Sequence, residues 1–217
     1  MLTYAIGDIH GRTDLLDRLL ARIETHRAGR ARRLVFLGDA VDRGPDSAGA
    51  VVRLRTLQGR EPEAVTCLMG NHEAMLLDAA AGSNLDLWEL NGGGTTLASF
   101  GVAHPRDLPR DVVAWLAALP TLHGDARRWY VHGGLDPVLG AEGSARETRL
   151  WMREPFLSSG HDFGRHVVHG HTPTRDGRPE LETFRTNLDT GAVFGGPLSA
   201  GVFDDGRGPP VEILTAR

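Results

Sequence analysis

The sequence predicts an α/β protein in which two packed β-sheets are flanked by helices and accompanied by a small helical cap. Three observations point there. Over the first 70 residues, short apolar runs alternate with amphipathic helical stretches, the order that builds a layer of parallel strands. Between Glu73 and about Leu119 the pattern turns helical and no strand interrupts it. From His166 onward short β-like runs recur close together, which calls for a second sheet, mostly antiparallel, packed on the first. With 217 residues, 41% of them hydrophobic, the chain can bury one substantial core. It reads as one domain, residues 1–217, with the cap at about 73–119.

The first apolar run, Leu2 to Ile6, leads into Gly7-Asp8-Ile9-His10-Gly11. A helix follows, capped by Thr13 or Asp14 and marked by Leu15, Leu16, Leu19, Leu20 and Ile23 on one face. The basic tract Arg27 to Arg33 reads as a solvated loop. Arg33 to Leu37 is the second strand, and it opens into Gly38-Asp39-Ala40-Val41-Asp42-Arg43-Gly44, where the glycines let the backbone bend sharply. Pro45 or Ser47 starts the next helix, with Val51, Val52, Leu54 and Leu57 on it. Ala64 to Met69 is a third strand, ending in Gly70-Asn71-His72-Glu73. The cap is broken at Asn91 to Gly94 and ends before Pro120, with Trp88 and Trp115 as its core. Trp129 to Val131 precedes His132-Gly133-Gly134, and Leu135 to Glu147 reads as an irregular loop. The later β-like runs are Arg165 to Val168, Leu181 to Asn187, Leu198 to Phe203 and Val211 to Leu214. The first of them leads into His169-Gly170-His171-Thr172-Pro173.

Composition removes several function classes. A net charge of −4 is too mild to suggest a nucleic-acid or membrane-surface partner. No apolar run approaches the roughly 18 residues of a membrane helix. Cys67 is the only cysteine, so an internal disulfide is impossible and a reducing, cytoplasmic setting is expected. It lies within a strand-like run and reads as core rather than nucleophile. The first motif begins at Gly7, which leaves no room for a signal peptide in the chain as it stands.

Five turns share one design, an apolar strand followed by Asp, His or Asn between glycines. Their side chains are Asp8, His10, Asp39, Asn71, His132 and His171. Carboxylate, amide oxygen and imidazole are ligands of hydrolytic metals such as Mn²⁺, Fe or Zn²⁺. Six exceed what one tetrahedral ion requires, so two ions sharing a carboxylate use them economically, with Asp39 the natural bridge. Paired ions roughly 3.5–4 Å apart clamp the attacking and leaving oxygens of a displacement at phosphorus and make hydroxide available near neutral pH. No protein nucleophile is then needed.

Asp8-Ile9-His10-Gly11, Gly38 to Gly44, Gly70 to Glu73, His132-Gly133-Gly134 and Gly170-His171 resemble the motifs of the calcineurin-like metallophosphoesterases. They are most similar to the phosphoprotein phosphatase branch, which acts on phosphoserine and phosphothreonine. Asn91 to Gly94, Trp151-Met152-Arg153-Glu154 and Asp189 to Phe194 extend the likeness to small phage and bacterial serine/threonine protein phosphatases. The resemblance implies a sandwich of two packed mixed β-sheets flanked by helices. It implies two divalent cations, Mn²⁺ before Fe or Zn²⁺, and a metal-bridging hydroxide. Asp8, His10 and Asp39 would hold one ion; Asp39, Asn71, His132 and His171 the other. His72 would protonate the leaving oxygen, positioned by Asp42, while Arg43 and Arg153 would grip the phosphoryl oxygens.

Thr172-Pro173 follows His171 where broader relatives carry a second downstream histidine; His169 precedes the glycine instead and reads as a strand-end residue or one that supports the ligands from behind. Glu73 orients its neighbours or faces solvent. His26, His104, His123, His161 and His166 are surface or packing residues. The expected activity is hydrolysis of phosphoserine and phosphothreonine on a protein or peptide. The alternatives are a small phosphoester such as diadenosine tetraphosphate or, more remotely, a binding module without catalysis.

Overall fold

A computed structural model describes residues 1–217. The first half follows the predicted alternation: β1 (Leu2–Ile6), α1 (Thr13–Arg27), β2 (Arg32–Phe36), α2 (Ser47–Arg60) and β3 (Val65–Cys67). The helical segment is α3 (Asn71–Ala80), α4 (Leu85–Leu90), α5 (Gly93–Phe100) and α6 (Arg110–Ala117), with a 3₁₀ turn at Pro105–Asp107. Then come β4 (Leu122–Gly124), β5 (Arg128–Val131), α7 (Gly140–Gly143), α8 (Arg146–Trp151), β6 (His166–His169), β7 (Glu180–Leu181), β8 (Arg185–Asn187), a 3₁₀ turn at Ala192–Phe194, β9 (Leu198–Phe203) and β10 (Glu212–Ala216).

Two mixed five-stranded sheets result. The first has the order β10-β9-β1-β2-β3, with β1, β2 and β3 parallel and β9 and β10 antiparallel at one side. The second has the order β4-β5-β6-β8-β7. Its centre, β5, β6 and β8, is parallel, and only the edge strands β4 and β7 run antiparallel. This corrects the expectation of a mostly antiparallel second sheet. The chain between β6 and β8 is long enough to return and re-enter in the same direction, as a parallel pair requires. The last two strands also belong to the first sheet. All six residues of β9 are buried between β1 and β10, the continuous apolar character of an interior strand.

Both faces of the first sheet are covered, and β1 and β2 divide their side chains with a period of two. Tyr4, Ile6, Leu34 and Phe36 join Leu15, Leu16, Leu19 and Ile23 of α1 in the larger core. Ala5, Val35 and Leu37 point the other way and meet Tyr130, Val168 and Leu188 in the seam between the sheets. Val52 of α2 faces solvent rather than the core. The basic tract is not all loop, since Arg32 and Arg33 lie in β2. Leu135 to Glu147 holds α7 and the start of α8, helices of four and six residues that are too short to show a periodic pattern. His26 binds the Tyr4 hydroxyl at 2.7 Å, His123 stacks on Tyr130, and His166 is buried. His104 and His161 are exposed.

Candidate metal centre

The motif turns lie at the C-terminal ends of parallel strands in both sheets, the side on which open α/β sheets carry their ligands. Asp8 and His10 follow β1, Asp39 to Arg43 follow β2, and Asn71 and His72 open α3 just after β3. His132 follows β5 and His171 follows β6. Asp8, His10, Asp39, Asp42, Asn71, His72, His132 and His171 are all buried, and Arg43 is half-buried. Arg153 is exposed. Five of the seven non-glycine residues with positive φ are here: His10, Asp39, Asp42, Arg43 and His171. Each such residue costs on the order of 1–3 kcal/mol, and it persists only where surrounding contacts over-determine it.

Two glycines let the turns close. A Cβ on Gly70 would lie 2.1 Å from Asp39 Oδ1, and one on Gly170 would lie 2.1 Å from Asp8 Oδ1. The strand ends approach so closely that no side chain fits between them.

Imidazoles and one amide surround Asp39. Its Oδ2 lies 3.5 Å from His10 Nε2 and 4.0 Å from His72 Nε2, and its Oδ1 lies 3.3 Å from His132 Nε2. Asn71 Oδ1 sits 2.8 Å from His132 Nε2 and 2.8 Å from His171 Nδ1. His10 Nδ1 is 2.8 Å from the Val41 carbonyl and His132 Nδ1 is 2.9 Å from that of Leu37. A carbonyl only accepts, so each Nδ1 carries a proton and each Nε2 turns inward. Asp8 accepts from the His171 backbone N–H at 3.1 and 3.3 Å, which joins the β1 turn to the β6 turn.

The electrostatics are those of a place short of positive charge. Burial raises the pKa of Asp8 well above the usual carboxylate range, with the Asp189 charge adding to it. Burial likewise raises Glu73, and it pushes Asp189 up to about 6. Burial opposes a charge on His132, but the carboxylates of Asp39, Asp8 and Glu73 outweigh it and lift the imidazole to about 10. Burial also works against ionised Asp39, yet His132 and His72 hold it well below the ordinary range. His10 and His171 are both lowered to about 3, chiefly by burial. The Arg153 charge contributes to the lowering of His171.

These residues fit metal ions. Two groups of potential ligands, His10-Asp39-His72 and Asp39-His132-His171, each gather their donor atoms within 4.8 Å and share Asp39. Its two oxygens address different groups, the arrangement a bridging carboxylate needs. The first group contains His72 where the sequence reading expects Asp8. Buried and without a partner are His72 Nε2 and His171 Nε2. His72 Nδ1 is 2.7 Å from Asp42 Oδ2. Arg43 Nη1 donates to His10 Nε2 at 2.9 Å, and its guanidinium lies over the exposed Phe194 ring.

Two residues do more than their sequence suggests. Buried Glu73 accepts from the backbone N–H groups of Asp39, Ala40, Val41 and Gly70, at 2.9, 2.8, 3.3 and 2.7 Å. It therefore organises two motif turns. Asp189 is the missed carboxylate. It is buried beside Asp8 and its Oδ1 accepts from Gly191 N–H at 3.0 Å. Only the likeness of Asp189 to Phe194 to other phosphatases signals it. His169 ends β6 and is buried against the Phe156 ring. Cys67 is buried with its thiol pushed up to about 12, so it is no nucleophile.

Comparison with known proteins gives the family. Residues 1–196 match the calcineurin-like phosphoesterase family, and the chain belongs to it. It is thus a metallophosphoesterase. The chain is 32% identical to a serine/threonine-protein phosphatase 1 of Salmonella typhimurium, over 90% of this chain and 89% of that protein. It is 36% identical to a symmetrical bis(5'-nucleosyl)-tetraphosphatase of Dechloromonas aromatica, over 71% of this chain and 52% of that one. A solved structure described as a candidate diadenosine tetraphosphatase superposes with a TM-score of 0.73 at 26% identity, covering 99% of this chain and 92% of the other.

Proposed function

We propose that this protein hydrolyses phosphomonoesters with two divalent cations, and that its substrates are phosphoserine and phosphothreonine on proteins or peptides. The observation that carries the reading is the buried His72-Asp42 pair, whose free Nε2 faces Asp39. A serine or threonine alkoxide is a poor leaving group, and a positioned acid contributes about 10²–10⁴ in rate. Asp8, His10 and Asp39 would hold one cation; Asp39, Asn71, His132 and His171 would hold the second. When bound, Mn²⁺, Fe or Zn²⁺ supplies Lewis acidity toward the phosphoryl oxygens and the attacking water. Asp42 fixes His72 in the tautomer with Nδ1 protonated. A second proton, carried on Nε2, is the one delivered to the leaving oxygen. Arg43 and Arg153 clamp the phosphoryl group through their guanidinium forks. Residues 1–217 act as one domain in this reading, and a lone buried cysteine suits the cytoplasm.

The length of chain shared with the Salmonella phosphatase supports the protein-phosphatase assignment. The second reading, hydrolysis of a dinucleoside tetraphosphate, is supported equally by the tetraphosphatase relatives. Purified protein with Mn²⁺ is to be assayed on a phosphothreonine peptide and on diadenosine tetraphosphate. Faster turnover of the peptide is expected. Cleavage of the dinucleotide alone would transfer the assignment to the second reading, and no hydrolysis of either would leave only a binding module.

A further inference from the structure

The pair proposed to deliver the proton is not complete in itself. The Asp42 carboxylate has three side-chain partners: His72 of α3, and one residue each from α4 and α5. Trp88 of α4 donates its indole N–H to Asp42 Oδ2 at 2.9 Å, onto the oxygen that also faces His72. Thr96 of α5 donates its hydroxyl to Asp42 Oδ1 at 2.6 Å. Trp88 and Thr96 are both fully buried. Gly93, between them in sequence, lies beneath the indole, where a Cβ would come within 2.4 Å of the ring. Asp42 itself holds a φ of +70°, a conformation an aspartate keeps only when its surroundings impose it.

We infer that Trp88 and Thr96 are positioning residues for the phosphoryl-transfer reaction: α4 and α5 clamp the Asp42 carboxylate so that His72 points its free nitrogen at the leaving oxygen. With both oxygens engaged, the carboxylate cannot rotate about its Cβ–Cγ bond without losing a buried hydrogen bond, which is costly. The inference rests on the phosphomonoester reading. It adds that leaving-group chemistry depends on two residues outside every recognisable motif.

The test uses two leaving groups. p-Nitrophenolate departs without a proton, whereas a threonine alkoxide does not. In Trp88→Phe, kcat on a phosphothreonine peptide is expected to fall by roughly tenfold or more, within the 10²–10⁴ that a positioned acid contributes. On p-nitrophenyl phosphate it should change by less than about threefold, with KM steady on both, because that leaving group draws little on the acid. Thr96→Val should repeat the split and Thr96→Ser should rescue it, which keeps the test open if Trp88→Phe does not fold. In an Asp42→Asn background the Trp88 change should add nothing further, the mark of residues acting as a unit. An equal loss on both substrates, or a full second loss in that background, would overturn the inference and leave the function intact. Wild-type protein inactive on both phosphoesters would overturn the function reading, and this inference with it.

Discussion

His72 turns its two ring nitrogens to different surroundings. Nδ1 meets Asp42, and Nε2 is buried with no partner, 4.0 Å from Asp39. Such a nitrogen can complete a metal site or carry a proton to a leaving group. His72→Asn separates the roles. The acid role predicts that two cations per chain remain by elemental analysis, while turnover of a phosphothreonine peptide falls by about 10²–10⁴. Loss of one cation would make His72 a ligand. Asp39, His132 and His171 were legible in the sequence because each sits in a short glycine-flanked turn after an apolar run. Trp88 was legible only as core. Its link to Asp42 spans 46 residues, and nothing local marks a buried indole as a donor to a distant carboxylate. Asp189 is hidden for the same reason, since its neighbour Asp8 lies at the other end of the chain.

Among elements, the start of α3 carries an unusual duty. Glu73 stands in its first turn and takes four backbone N–H groups from the β2 and β3 turns. Glu73→Ala would leave those donors buried without partners, at roughly 1–3 kcal/mol each. A loss of at least about 3 kcal/mol is expected, read as a fall in Tm of about 6 °C or more in a domain of this size. A shift within 1–2 °C, about what a surface change gives, would mean that water replaces the carboxylate. Strand β6 makes a different prediction. His166 is buried, and burial lowers its pKa to about 4, against an ordinary value near 6.5. The folded form thus binds fewer protons than the unfolded chain between those values. The sign follows: the stability this neutral ring preserves is complete above pH 6.5 and is lost as pH falls toward 4. Urea unfolding in EDTA at pH 7.5, 6 and 5 should show the decline, and His166→Gln should make it shallower. An unchanged slope would assign the pH dependence to other groups. Such pairings explain why the elements were easier to read than their assembly. Helices and parallel strands in residues 1–70 follow from local periodicity. The return of β9 to the first sheet depends on β1, some 200 residues away, which no local pattern contains, and β10 follows it by pairing with β9.

At the scale of the molecule, the centre is where the two sheets are tied together. Asp8, Asp39 and Asn71 arrive from the first sheet, and His132 and His171 from the second. The apolar seam joins the sheets below, through Val35, Leu37, Tyr130 and Val168. Above it stand the carboxylates of Asp8, Asp39, Glu73 and Asp189, all buried, with the half-buried Arg43 beside His10. A buried charge costs much unless paired or bound to metal. Divalent cations would therefore stabilise the fold as well as equip it for chemistry. If Mn²⁺ is present at about 100 times its dissociation constant, linkage gives roughly 2.7 kcal/mol per site. For about 200 residues that is a rise in Tm of about 5–10 °C per site. Thermal melts in EDTA and in a Mn²⁺ series should differ by at least this much, and phosphatase activity should be lost and regained over the same titration. Asp39→Asn should abolish most of the gain, because both groups of ligands share that residue. A melt indifferent to chelation, with the six candidate ligands intact, would mean that the carboxylates settle their charge by sharing protons, and that the sheets are held by the seam alone.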